Sequence, residues 1–368
     1  MKKVFSFFKY IMFVIFILLN NNSYISLISR AYQIGKGKKY INKCLEHINI
    51  DSINTNIDKP KISVIIPIFN CENSIKFSIS SIQNQRLKEI EIILVNDFSE
   101  DNSRYIIENM RKYDNRIVII NNNKNMGTLY SRNIGALLAK GKYIFTLDHD
   151  DMFFTDYIIY KMYIIAEKNN YDIIGFQTVY SNKGKINEIY DEPFIKDKND
   201  KYIIQPELKF LSVTNKDAHI WGKCIKKEIY KNAISLMGIK RSNTYLCYGE
   251  DDVIVFMLFS TANTYRFIPI FGLFHLVSKQ TASFKLSDNH KLFAKIFFLD
   301  LIFDFTDNSF REKKFVNKFI DAIKNFISSK KFDINKENRI YLNKTLEKIF
   351  NCSYFNRNNN SYFNKIIY

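Results

Sequence analysis

The chain has one tryptophan in 368 residues, no CxxC pair among its five cysteines, no arginine-rich run and no uninterrupted apolar stretch of twenty residues. Cysteines at 44, 71, 224, 247 and 352 have neither zinc-ligand nor disulfide-framework spacing. Their odd number leaves at least one thiol unpaired within the chain. Acidic residues are also in deficit, 37 against 54 basic ones, for a net charge of +17. That charge favours anionic partners such as nucleotide phosphates or lipid headgroups. The basic residues are spread along the chain, as in Lys38–Lys39, Lys226–Lys227 and Lys330–Lys331, without the aromatic interleaving of a nucleic-acid module, so nucleic acid is not expected as a partner. No internal repeat is visible. What the chain has in abundance is Phe and Tyr, 33 and 23 residues, in an Asn-, Ile- and Lys-rich background that reads as compositional bias.

At the N-terminus, Lys2 and Lys3 precede a mostly apolar run that Lys9 interrupts and that continues unbroken from Tyr10 to Leu19. Ten unbroken residues suit the hydrophobic region of a signal peptide better than a spanning helix of about twenty, although Lys9 can snorkel and lengthen the run. Residues 1–31 are therefore expected to be a signal-anchor, with a cleaved signal peptide as the alternative, since Ser29 and Ala31 offer a small-residue cleavage site. The expected location is membrane-associated, either in the secretory-pathway lumen or on the cytoplasmic face. Residues 32–60 read as a polar stem and 61–284 as the main domain. Residues 285–368 read as a helical extension whose Phe/Lys/Asn patterns, as in KLFAKIFFLDLIFDF, pack on that domain or on a membrane surface.

From residue 62 short apolar runs alternate with longer amphipathic ones: ISVII then 73–85, IEIILVN then 101–113, RIVIIN then 127–139, YIFTLD then 155–168, and DIIGF. Continuous Ile/Val runs fit strands covered on both faces, so the expected fold is α/β with a Rossmann-like, mostly parallel sheet between helices. Such sheets bind ligands at the carboxyl ends of their strands. Three of those ends are polar and acidic: Pro67 to Glu72, Asn96 to Asp101, and Asp148-His149-Asp150-Asp151. Carboxylates crowded on one edge repel one another unless a cation joins them, which points to a divalent metal.

The motifs ISVIIPIFN, ILVNDFSEDNS, NMGTLYSRNIGALLAKGKYI and LDHDD, in that order between Lys61 and about Phe154, resemble those of the family 2 glycosyltransferases with the GT-A fold. The resemblance implies an inverting, metal-dependent transfer of a hexose or N-acetylhexosamine from a nucleotide-diphosphate donor, with UDP the expected nucleotide, to a glycan or glycolipid hydroxyl. A catalytically inactive nucleotide-sugar- or glycan-binding member is the alternative. Asp148 and Asp150 form the DXD pair for Mg²⁺ or Mn²⁺, Asp150 as direct ligand and Asp148 toward ribose or metal-bound water. Pro67, Glu72, Asp97, Asn125, Gly127 and Arg132 are implied on the donor side, with Asp97 accepting from a uracil imide.

Downstream, Tyr248-Gly249-Glu250-Asp251-Asp252 resembles the family's ED motif, which implies Asp251 as general base and Glu250 as its support. The adjacent Asp252 leaves that register open. Trp221 and Lys223 resemble donor- or acceptor-side residues, with Trp221 either a sugar-stacking wall or a core aromatic. His275 is either a late ligand to metal or diphosphate or a structural histidine.

Overall fold

The computed structural model describes residues 59–182, 185–189, 202–203, 219–277 and 288–305, together with 340, 344 and 345. The N-terminal hydrophobic segment, the stem as far as residue 58, the expected boundary at 284 and most of the C-terminal extension lie outside the described residues. Among the described residues no helix is long and apolar enough to cross a membrane.

In chain order the elements are β1 (Ile62–Ile68), α1 (Ile75–Gln83), β2 (Ile90–Asn96), α2 (Ser103–Tyr113), β3 (Ile117–Asn121), α3 (Thr128–Leu138), β4 (Tyr143–Thr146), β5 (Met152–Phe153) and α4 (Ile158–Asn169). Then follow β6 (Ile173–Asn182), β7 (Lys185–Ile189), β8 (Tyr202–Ile203), β9 (Lys223–Lys226), α5 (Lys227–Met237), α6 (Ile239–Ser242), α7 (Glu250–Thr261), β10 (Thr264–Val277) and α8 (Asp288–Phe305). The four leading strand–helix repeats lie within three residues of where apolar periodicity places them.

The sheet order is β3-β2-β1-β4-β9-β6-β10-β5, with β7 on β6 and β8 on β10. Strands β3, β2, β1 and β4 are parallel to one another, as are β6 and β10. Between these groups β9 runs antiparallel to both β4 and β6 and separates them. The short, half-polar KCIK of β9 lacks the long Ile/Val run that marks the other inner strands.

Although the inner strands are apolar throughout, their residues alternate between two cores, as a pleated strand requires. Ile65, Ile93, Val95, Ile144 and Ile225 face the layer of α3, α5, α7 and α8. Val64, Ile66, Ile92, Leu94 and Phe145 face α1, α2 and α4. Helix α7 is buried on every side from Val253 to Phe259, the pattern of a helix packed wholly inside a domain. It touches α3, α5 and α8. The first part of the C-terminal extension thus packs on the domain: Ala294, Phe297, Phe298, Leu301 and Ile302 of α8 join the α7 core, and Arg241 pairs with Asp300 at 2.8 Å.

Candidate active site

At the carboxyl ends of the parallel strands lies a cavity of about 420 Å³. It is bounded by Pro67 from β1, Asp97 after β2, Arg132 from α3, Asp148 to Asp150 after β4, and Tyr248 to Asp252 at the start of α7. His219, Trp221 and His275 form a further wall. The β1–β4 ladder ends at Ile65–Thr146, so Pro67, which has no N–H to offer, lies past the last pair of that ladder.

Arg132 organises the centre. Gly135, one turn on, lies so close to the Ile65 side chain that a Cβ there would stand 2.6 Å from it, so α3 rides directly on the sheet. That approach helps bury Arg132, whose side chain is 1% exposed. One guanidinium nitrogen, Nη1, donates to Glu250 and to Asp251, both at 2.7 Å, and Nη2 donates to Asp148. Burial opposes the arginine's charge, and Asp251, Asp148 and Glu250 more than restore it. One buried cation therefore ties the acids after β4 to the acids of α7, although they are about a hundred residues apart in sequence.

The carboxyls differ in proton affinity. Burial disfavours the ionised Asp251, yet Arg132, then His219 and Lys223, hold it below the ordinary carboxylate value. Asp252 has burial and the neighbouring Asp251 charge against it and is pushed up to about 7, with His219 only partly opposing. Burial likewise drives Glu250 upward in spite of Arg132. Asp150 is raised by burial, relieved by His149, and raised again by Asp148. His275 Nδ1 donates to the fully buried Asp151 at 2.8 Å. Burial would lower that imidazole, but Asp151, with smaller help from Asp148 and Asp150, brings it up to about 9.

Asp148 and Asp150 fit a hard divalent cation. Both line the cavity, and burial raises the proton affinity of Asp150, a cost that a bound cation would offset. Among the described residues no three His, Cys, Asp or Glu side chains form a ready-made cage. A cation here would complete its shell with phosphate oxygens and water, the habit of Mg²⁺. Since Asp151 holds Nδ1 of His275, a metal contact from that histidine would have to come from Nε2.

Four residues expected at the site do not line the cavity, each for a visible reason. Glu72 accepts from the backbone N–H and the side chain of Asn102, at the start of α2. Asn125 accepts from Gly127 N–H at 3.1 Å and shapes the turn into α3. Gly127, with φ of +87°, lets the backbone pass against Leu246, where a Cβ would stand 2.8 Å from the Leu246 nitrogen. Lys223 is buried and donates to the His219 carbonyl at 2.7 Å.

Asp97 does reach the cavity, and its carboxylate already takes Met126 N–H, Gly127 N–H and the Asn122 amide at 2.7 to 2.8 Å. Sequence reasoning passed over His219 and Asp151 as site residues. A histidine two residues before the tryptophan, on the same alternating side, is the one signal that pointed to the first, and nothing in the local sequence distinguishes the third acid of DHDD.

A sheet of this order, with acidic strand ends gathered around one cleft, defines the GT-A class of α/β fold. The description Glycosyl transferase family 2 matches residues 63–225. This stretch is a family 2 glycosyltransferase domain. A glycosyltransferase named EpsJ from Bacillus subtilis is 32% identical over 178 residues, covering 47% of this chain and 50% of EpsJ. A Campylobacter jejuni protein named GalNAc(5)-diNAcBac-PP-undecaprenol beta-1,3-glucosyltransferase is 40% identical over 93 residues, covering 25% of this chain and 30% of that protein. The chain thus spans half or less of the length of these curated relatives. The fold is also similar to that of Staphylococcus aureus TarS 1-349 solved in complex with UDP, at a TM-score of 0.51 and 16% identity over 80% of this chain and 81% of that one.

Proposed function

We propose that this protein is an inverting, divalent-metal-dependent glycosyltransferase that moves a hexose or N-acetylhexosamine from a UDP-linked donor to a hydroxyl of a lipid-linked saccharide. The observation that carries this reading is the Arg132 bridge, which holds Asp148 on the donor side and Asp251 on the acceptor side of one cavity. Asp97, oriented by three hydrogen bonds, is suited to accept from the imide N–H of the uracil. Asp150, with Asp148, would hold Mg²⁺ or Mn²⁺, which supplies charge neutralisation for the departing diphosphate.

The acceptor hydroxyl oxygen attacks the anomeric carbon as the bond from that carbon to the diphosphate oxygen breaks. Asp251 takes the hydroxyl proton in the same displacement, and no covalent enzyme intermediate is required. Its contact with Arg132 keeps it ionised and fixes one oxygen, so the second is aimed rather than rotating. The undecaprenol-diphosphate acceptor in the name of the Campylobacter relative supports a lipid-linked substrate class. The hydrophobic segment within 1–31 would bring the domain to such an acceptor at a membrane.

The test is UDP release from a panel of UDP-hexoses and UDP-N-acetylhexosamines by the full chain in detergent. Turnover with Mn²⁺ or Mg²⁺ is expected, with loss on EDTA treatment and a fall of at least about a hundredfold in Asp150→Asn. UDP binding without turnover of any donor would instead mark a non-catalytic nucleotide-sugar binder.

A further inference from the structure

The sequence offers its single tryptophan as the wall against which a sugar would lie, but Trp221 is only 4% exposed. Its indole is stacked with the His219 ring at 4.2 Å and 11°, and with the His275 ring at 4.9 Å and 16°. The three rings form a near-parallel row in the cavity wall. His219 is the accessible member: its side chain is 38% exposed, against 19% for His275. It is also well held, since its ring rests on Trp221 and its carbonyl accepts from the buried Lys223 ammonium.

The imidazole lies beside the acceptor end of the cavity. His219 Nδ1 is 3.9 Å from Asp251 Oδ2, too long for a hydrogen bond but within the span of one sugar ring. A base must come within about 2.6–3.2 Å of the hydroxyl it deprotonates, so the pyranose carrying that hydroxyl has to stand next to Asp251. The surface it meets there is His219. A flat ring braced by an aromatic row gives the C–H face of a pyranose an apolar contact at little cost in side-chain freedom.

We infer that His219 is the platform for the acceptor sugar, packing its imidazole against the pyranose whose hydroxyl Asp251 deprotonates, while Trp221 and Lys223 hold it in place. This inference rests on the glycosyltransferase reading above and gives that site a residue for acceptor recognition. Donor contacts belong to the Asp97 and Asp148–Asp150 end, so His219 should affect acceptor and donor unequally.

The single tryptophan supplies a direct probe, because all indole emission comes from Trp221, at the centre of the stack. The full chain with UDP and Mn²⁺ is titrated with the methyl β-pyranosides of glucose, galactose, N-acetylglucosamine and N-acetylgalactosamine. The same glycosides serve as acceptors in UDP-release kinetics. At least one should change the emission saturably. For that acceptor, His219→Ala should raise KM about tenfold, the weight of one stacking contact, while UDP affinity moves less than about twofold. His219→Phe, which restores a flat face, should return the acceptor KM to within about threefold of wild type.

An acceptor KM unmoved by His219→Ala overturns the inference, as does an equal rise in the Ala and Phe variants. UDP release that no glycoside stimulates, with no emission change, counts against the platform alone. Failure of the wild-type protein to bind UDP or to turn over any UDP-sugar overturns the glycosyltransferase reading together with it.

Discussion

Asp251 and Asp252 are neighbours on the first turn of α7 and hold their protons differently, because only Asp251 touches Arg132. A general base must be ionised to work, so activity falls as pH drops through its pKa. With Asp251 as base, kcat/KM of Glu250→Gln, which removes the neighbouring carboxyl that burial also pushes up to about 7, should stay flat from pH 8 down through pH 6. With Asp252, which burial pushes up to about 7, it would already be halved near neutrality. Asp251→Asn should lower kcat by about 10³-fold and Asp252→Asn by less than about tenfold. The pH profile and the two variants decide the register, and the reverse pattern would move the base to Asp252. The types and spacing of Glu250-Asp251-Asp252 were legible in the sequence. Their unequal chemistry was not, because it depends on a guanidinium more than a hundred residues away.

The turn that enters α3 shows how an element can serve the site without touching a ligand. Gly127 sits at φ +87° and donates its N–H to Asp97, while the Leu246 carbonyl accepts from Leu129 N–H next to it. A Cβ at 127 would enter a backbone conformation that L-residues avoid and would also press on the Leu246 nitrogen. Gly127→Ala should therefore destabilise the fold by about 1–3 kcal/mol, read as a fall in melting temperature. It should also weaken UDP binding, read by calorimetry, because Asp97 loses its anchored donor. An Ala variant with wild-type melting and UDP affinity would refute this account of the turn. The glycine was visible as part of a motif, but its neighbour Leu246 was not, since nothing local couples residue 127 to 246.

Among the described residues, the two large cores on either side of the sheet support a cavity whose acids come from several separate elements. Crowded carboxylates should be costly without a cation, which makes the cleft a point where ligand and stability are linked. Saturating UDP with Mn²⁺ should raise the melting temperature by several degrees, since a ligand at a hundred times its Kd adds about 2.7 kcal/mol. UDP or Mn²⁺ alone should give a smaller shift. In Asp150→Asn the advantage of adding both together should disappear, and its persistence would remove Asp150 from the proposed metal site.

Local sequence determined the strand–helix rhythm from 62 onward and the acidic strand ends. Hydrophobic period and residue type are properties of neighbouring residues, and both survive in the chain without its fold. Tertiary structure alone decided that β9 enters the sheet antiparallel between β4 and β6, that Arg132 joins Asp148 to Asp251, and that the expected tryptophan wall presents His219 to the cavity. The first two are contacts between segments far apart in the chain, made by burial and charge pairing after collapse, and the third depends on the distant His275 closing the other side of the Trp221 stack, which no window of local sequence carries.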